Sequence, residues 1–360
     1  MSSEITALLQ KEELSREDVI RLLRCDDDEA RHLYRKATAT REKNLGNTVF
    51  LKGLIEYSNI CSSNCLFCGV RKDSDKIDRF MLSTEEVIEA SLAAMDLGFG
   101  YIAIQGGEVE GEDHAWKIES LIRKIRELSH NKIGITLSLG EQSPETYRKW
   151  FEAGAHRYLL RIEASGIDLY KKVHPGNNHD EYYRRIECLK SIRDTGYQTG
   201  TGLMVGLPKQ TLLNLADDIF FMRDFDIDMC GLGPFIEHTG TTPGKNGTGN
   251  YFLKERFELS LRMIAIMRIM MKDINIVAST AMQVIDPSGR EKAILAGANV
   301  IMPNLTPLKY RKHHEHHTEA NETDEANVSS LRLDIVPGIR IGLGKWGDTT
   351  HFRRRISKAK

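Results

Sequence analysis

The chain has 360 residues, 41% hydrophobic and 28% charged, with a formal net charge of −1. That is the composition of a globular protein with room for a sizeable core. Near-neutral charge argues against a nucleic-acid partner, and the lack of any apolar run of ~18 residues argues against a membrane span.

The N-terminal stretch MSSEITALLQKEELSRED is acidic and amphipathic and has no apolar leader core, so a cytoplasmic location is expected. Residues 1–48 read as helical. Ser15 and Asp18 form a capping-box pattern before an apolar run, and a second helical pattern stops at Gly46. Strand–helix alternation follows. Strand candidates are 49–58, 101–107, 133–140, 157–163, 199–207, 229–236, 274–280 and 299–303. Each but the last is followed by a helix candidate. This predicts an α/β fold built as a (β/α)8 TIM barrel with a helical N-terminal extension; a doubly wound open sheet is the alternative. The expected division is 1–48 helical segment, 49–308 barrel, and 309–360 C-terminal extension on or near the barrel. The polar stretch 309–330, with His313, His314, His316 and His317, reads as a solvated loop. The basic tail HFRRRISKAK reads as a solvated or frayed terminus.

Half of the six cysteines lie in EYSNICSSNCLFCGVRKD, as Cys61, Cys65 and Cys68. Cys25, Cys188 and Cys230 stand alone, the last two in the apolar settings RRIECLKSI and DIDMCGLG, and each reads as a buried thiol. In a reducing compartment the clustered thiols are metal ligands or redox groups rather than disulfides. A closed zinc site wants four ligands, and the chain has no second C-x₂-C pair. A thioredoxin-like pair of Cys65 and Cys68 leaves Cys61 without a purpose. A [4Fe–4S] cube uses all three thiolates and leaves one iron open to a ligand bearing an amine and a carboxylate. The motif directly follows the first strand candidate, which puts it at the end of a barrel where sites are built. Phe67 either stacks on a planar cofactor group or packs around the cluster.

The spacing C-x₃-C-x-Φ-C resembles that of the radical S-adenosylmethionine (SAM) enzymes. The resemblance implies a barrel of the radical SAM type, with the amine and carboxylate of SAM on the open iron. One electron would then cleave SAM to methionine and a 5′-deoxyadenosyl radical. It further implies that Gly106 and Gly107, in QGGE, help bind the SAM amino group; a tight turn is the plainer alternative. In YLLRIEAS, Arg161 and Glu163 alternate onto one face. Glu163 is the candidate for the SAM ammonium and Arg185 for its carboxylate, against a structural Arg161–Glu163 salt bridge and a helix-surface arginine. Gly202 and Gly206, in GLMVGLPKQT, leave room for the adenine, and Met204 in the same phrase is a further cofactor contact.

The phrases IEYSNICSSNCLFCGVR, TLSLGE, AGAHRYLLRIE, GLMVGLPKQT, GLGPFIEHTGTTP, STAM with PSGRE, and GANVIMPNLTP closely resemble the [FeFe]-hydrogenase maturase HydE family. Biotin synthase and methylornithine synthase are similar to that family. The resemblance implies a role in assembling the diiron H-cluster. The substrate would be the iron–carbonyl–cyanide–cysteine product of HydG, with HydF as the receiving scaffold and a ferredoxin or flavodoxin as electron donor. It places Arg161, Ser279, Thr280 and Met302 in the substrate cavity; internal hydrogen bonding is the plainer reading of the two hydroxyls. Three departures from the family pattern stand out: Ile162 in place of His, Lys209 in place of Gly, and His314 in place of Tyr. The alternatives are a methylornithine synthase-like rearrangement, biotin synthase-like sulfur chemistry, and a non-catalytic iron–sulfur or metal-binding protein.

Overall fold

The computed structural model describes the chain apart from residues 1–2, 76, 175–178, 238–250, 312–335, 337 and 359–360. The four histidines from His313 to His317 lie outside the described residues. Three helices lead: α1 (Ser3–Leu8), α2 (Arg16–Leu23) and α3 (Asp27–Leu45). The Ser15 hydroxyl accepts from the Asp18 amide and the Asp18 carboxylate from the Ser15 amide, so the predicted capping box is present. Helix α3 ends where Gly46 takes φ +72°, a turn that side-chain-bearing residues resist.

Eight parallel strands then close on themselves: β1 (Thr48–Ser58), β2 (Tyr101–Gly106), β3 (Gly134–Ser138), β4 (Arg157–Leu159), β5 (Gln198–Val205), β6 (Met229–Pro234), β7 (Asn275–Ala278) and β8 (Val300–Ile301). Each pairs with the next, and β8 and β2 both pair with β1, so the sheet is a closed barrel. Helices α4 (Thr84–Asp96), α5 (Glu112–Leu128), α6 (Pro144–Ala153), α7 (Ile167–Val173), α8 (His179–Thr195), α9 (Leu212–Asp224), α10 (Leu253–Met270), α11 (Thr280–Ile285) and α12 (Gly289–Leu295) connect the strands. The main core lies between strands and helices, where Ile55, Ile104, Trp150, Ile219 and Ile264 are fully buried. Burial of each such side chain contributes about 1.5–3 kcal/mol.

A second set of buried side chains points into the barrel. Lys52 Nζ reaches Met229 Sδ at 3.3 Å, and the Arg157 guanidinium lies 3.8 Å from the centre of the Tyr101 ring. Burial, with Arg157 beside it, holds the Lys52 amine well below its ordinary pKa. These groups come from the first halves of their strands and fill the N-terminal end. Alternation along β1 puts Glu56 on the same inner face, nearer the other end, where it accepts from Asn304 Nδ2 at 3.0 Å.

The C-terminal segment closes the N-terminal end. Helix α13 (Leu308–Arg311) follows β8, and a short ninth strand, β9 (Arg340–Ile341), pairs with the start of β1. Asp348 accepts from Arg157 at 2.7 Å and from Gln198 at 2.5 Å, Gly347 O accepts from Asn275, and Trp346 donates to Lys132 O. The last helix, α14 (Thr350–Lys358), corrects the expectation of a frayed tail. Its Arg354 meets Asp273 at 2.6 Å, Arg355 pairs with Asp228, and His351 Nε2 lies 2.9 Å from Asp226 Oδ1. The basic tail is an acid-patch ligand, and that pairing is invisible in local sequence.

Asp273, with Asp228 and Asp226, raises the His351 pKa against the opposing effect of burial. A raised pKa in the folded state means this stabilisation is complete below about pH 6.5 and is lost as pH rises through the folded value. Thermal melts are therefore expected to fall through that window, and His351→Gln to flatten the dependence. An identical pH profile in the variant would refute the assignment.

Candidate active site

Strand β1 delivers the chain into the cysteine loop at the C-terminal end of the barrel. Asn59 is fully buried there and bridges the loop, donating to Asp78 O and accepting from the Phe80 amide. Arg79 binds the carbonyls of Asn59, Val70 and Arg71 at 2.6–2.7 Å and that of Ser74 at 3.1 Å. One guanidinium thus satisfies backbone groups that a loop lacks the ladder to satisfy.

Cys61, Cys65 and Cys68 are free thiols, each partly exposed. Cys65 and Cys68 rest on a small apolar group of Phe67, Ala164, Leu169, Val173, Leu207 and Phe235, with Met204 on its margin. Phe67 is 8% exposed and stands edge-on to His174 at 5.2 Å, so packing already occupies much of its ring. His174 itself stacks on Tyr170 at 3.8 Å. Burial pushes the Cys65 thiol up to about 12, against the pull of the nearby Arg185. Cys188 and Cys230 are buried, as expected, and so is Cys25.

The end of β2 grips the loop. A Cβ on Gly107 would fall 2.1 Å from Ile60 O and 2.7 Å from Cys61 Cβ. Gly106 has more room, with Leu139 Cδ2 at 3.1 Å nearest. Next comes Glu108, which is not among the residues expected from the sequence. Its amide donates to Cys61 Sγ at 3.3 Å, its carbonyl accepts from the Ser62 amide and hydroxyl, and Oε1 accepts from Ser63 Oγ. Its Oε2 accepts from Arg185 Nη2 at 3.2 Å.

Arg185 lies on α8 but is buried, so it is no surface arginine. Glu141, likewise unexpected, puts Oε1 2.7 Å from Arg185 Nε, though without hydrogen-bond alignment, and Oε2 2.8 Å from Arg184. Burial opposes the Arg185 charge, but Glu108 and Glu141 outweigh it and drive the pKa well above its ordinary value. Arg185 Nη1 makes a long 3.4 Å bond to Arg161 O. Both glutamates sit two or three residues past the QG and LS strand ends. In a barrel those are site positions, and that signal is present in the sequence.

The expected fourth strand does not reach Arg161 and Glu163, because β4 stops at Leu159. A single bridge of Glu163 to Leu203 continues the pairing, and Glu163 takes φ +62°. The two side chains form a two-pronged ion pair, 2.6 and 2.8 Å, and Arg161 also donates to Gly231 O and Leu203 O. Burial lowers the Arg161 pKa, yet Glu163 raises it further, so the guanidinium stays charged. A Cβ on Gly202 would fall 2.5 Å from Arg161 Nη1, so the strand glycines here make room for the arginine rather than leaving a void.

Ser279 caps the start of α11, and its buried hydroxyl has no hydrogen-bond partner among the described residues. Thr280 Oγ1 accepts from Arg290 at 3.0 Å. Met302 follows β8 and is partly exposed. The hydrogen bonds of Arg161 go to Glu163, Gly231 and Leu203 and not to these three. Ile162 is fully buried in the outer core, so this departure from the family pattern lies away from the barrel interior. Lys209 keeps φ +65°, the backbone form that glycine favours at this turn. His314 lies outside the described residues.

The radical SAM superfamily model matches residues 55–222. The [FeFe] hydrogenase maturase subunit HydE of Thermotoga maritima is 39% identical over 315 residues, 87% of this chain and 86% of that one. The chain belongs to the HydE family of radical SAM enzymes. A 3-methylornithine synthase of Methanosarcina acetivorans is 28% identical over 293 residues, covering 80% and 79% of the two chains. Two solved structures share the fold of this HydE-family chain. Methylornithine synthase (PylB) has a TM-score of 0.81 at 22% identity, covering 95% of this chain and 98% of that one. The maturase HydG of Carboxydothermus hydrogenoformans has a TM-score of 0.79 at 19% identity, covering 97% and 81%.

The residues present fit a [4Fe–4S] cluster. Three thiols on one loop are soft donors of the right kind, and each would go to a different iron. Among the described residues no three His, Cys, Asp or Glu side chains close on one point as a lone ion requires. The bare backbone of Gly107 lets the loop lie directly on the end of β2. No described helix is long and apolar enough to cross a membrane.

Proposed function

We propose that this chain is a HydE-type maturase that cleaves SAM during assembly of the [FeFe]-hydrogenase diiron cofactor. The 39% identity to a HydE over most of both chains carries the reading. When bound, a [4Fe–4S] cluster supplies the electron that splits the SAM sulfonium into methionine and a 5′-deoxyadenosyl radical.

The chain's own residues have distinct roles in this reading. Cys61, Cys65 and Cys68 hold the cluster as thiolates, giving up their protons as it binds. Glu163 accepts from the SAM ammonium while keeping one carboxylate oxygen on Arg161. Arg185 offers Nη1 to the SAM carboxylate, with Nη2 held by Glu108 and Nε in ion-pair contact with Glu141. The backbone at Gly106 and Gly107 supports the ammonium, and Phe67 and Met204 bound the apolar side of the site. Arg161, Ser279, Thr280 and Met302 face the substrate, an anionic iron complex supplied by HydG and passed on to HydF. A ferredoxin or flavodoxin supplies the electron. The proposed division is a helical segment 1–48, a barrel 49–308 and an extension 309–360.

Anaerobic maturation of an apo-[FeFe] hydrogenase with HydG and HydF tests the hydrogenase role, and the chain is expected to restore hydrogen evolution. A preparation that cleaves SAM but restores none would reject that role. Replacing Glu163 tests the site. A hydrogen bond to a charged group contributes about 1.5–3 kcal/mol, so Glu163→Gln is expected to weaken SAM binding by roughly ten- to a hundredfold with cluster absorbance intact. Unchanged SAM affinity would remove Glu163 from the ammonium site.

A further inference from the structure

Asp218 is a deeply buried carboxylate that this mechanism leaves unused. It sits on α9, 1% exposed, behind the turn that carries Glu163. Its Oδ1 accepts from both the amide and the hydroxyl of Ser165, at 2.7 and 2.6 Å. Its Oδ2 is buried without a hydrogen-bond partner among the described residues. Burial, only partly offset by the two Ser165 bonds, pushes its pKa up to about 7. A carboxylate buried this deeply is costly to desolvate and needs a structural return.

The return lies in the turn. Residues 162–165 are irregular: Glu163 takes φ +62°, and the Ala164 amide turns back to Ile162 O at 2.7 Å. The strand ladder ends at Leu159, so little regular backbone pairing fixes this segment. Three anchors do. The Glu163 amide donates to Gly202 O and its carbonyl accepts from the Met204 amide. The Ser165 amide and hydroxyl go to Asp218. The Ser165 carbonyl accepts from Tyr182 Oη at 2.7 Å. Asp218 is thus, with Tyr182, one of two side-chain anchors just beyond Glu163, and it comes from a different β/α unit.

We propose that Asp218 is a positioning residue for SAM: through Ser165 it locks the strained Glu163 turn so that the Glu163 carboxylate faces the SAM ammonium. This rests on the assignment of Glu163 given above. Asp218 itself touches no ligand. What the turn needs is an acceptor at Oδ1, and asparagine supplies one in the same place.

The test uses cluster-loaded protein and measures SAM affinity, cluster absorbance and amide hydrogen exchange across 162–166. Asp218→Leu is expected to raise the SAM Kd about tenfold and to speed exchange at Ser165, with cluster content unchanged. Asp218→Asn is expected to stay within about twofold of the parent for both, because both bonds survive. Ser165→Ala, which keeps the amide bond, falls between and carries the test should Asp218→Leu not fold. The inference is overturned if Asp218→Leu binds SAM as the parent does, or if Asp218→Asn is as impaired as Asp218→Leu. Glu163→Gln, measured alongside, separates the two assignments. Weakened binding there with normal binding in Asp218→Leu sinks this inference alone. Normal binding in Glu163→Gln sinks the Glu163 assignment and this inference with it.

Discussion

Cys65→Ala is expected to abolish both the cluster and SAM cleavage. Cys65 is the central thiol of the motif, resting on the Phe67 group with Arg185 nearby. Its thiol is costly to ionise in that setting, so binding must come from iron, and no neighbouring sulfur can take its place. Cys188 is buried beside Glu141 and Cys230 beside Arg161, and neither lies on the cysteine loop. Losing a residue behind a ligand typically costs 10–100-fold in metal affinity, so losing the ligand itself should cost more than about 100-fold. The measurement is iron content and visible absorbance after anaerobic reconstitution, with 5′-deoxyadenosine formed under dithionite as the second readout. Full absorbance and undiminished cleavage in the variant would mean that the motif does not hold the cluster.

Gly107→Ala should be nearly as damaging, and for a reason the sequence does not display. A methyl group there would overlap Ile60 O and press on Cys61 Cβ. The obstacle is backbone, which cannot rotate aside as a side chain can. Either the end of β2 or the cysteine loop must move, at a cost of about 1–3 kcal/mol for overpacking. Movement of the loop also breaks the bond from the Glu108 amide to Cys61 Sγ. Reduced iron content and a lowered melting temperature are expected together. Gly106→Ala provides the control. Its new methyl would meet a leucine side chain at 3.1 Å, so iron content should be close to normal. Equal effects of the two substitutions would show that the pair acts as a generic turn.

Much of this is legible in the sequence because the signals are local. Strand candidates 101–107, 199–207 and 229–236 differ from the observed strands by no more than a few residues at either end. The C-x₃-C-x₂-C loop is readable for the same reason. Charge pairing is not. Glu108, Glu141 and Arg185 come from three separate β/α units, and nothing in QGGE, TLSLGE or YYRRIECL says that they meet. The fourth strand candidate runs too long because YLLRIE alternates well. The chain leaves the sheet after Leu159 so that Glu163 can turn, and a positive φ has no signature when the residue is glutamate. Basic residues near the C-terminus look idle in the sequence because their partners, Asp228 and Asp273, lie far from them along the chain.

The plug formed by Asp348, Gly347 and Trp346 has a kinetic consequence. With Arg157, Gln198 and Asn275 covered by that segment, the described residues close the N-terminal end, and on the proposed assignments ligands would enter from the cysteine end. A substrate seated deep beside Arg161 and SAM seated at the loop would then stand in single file. On those proposed assignments the deeper molecule would arrive first and leave last. Turnover would follow a compulsory order, with excess SAM acting as a stopper that traps whatever lies below it.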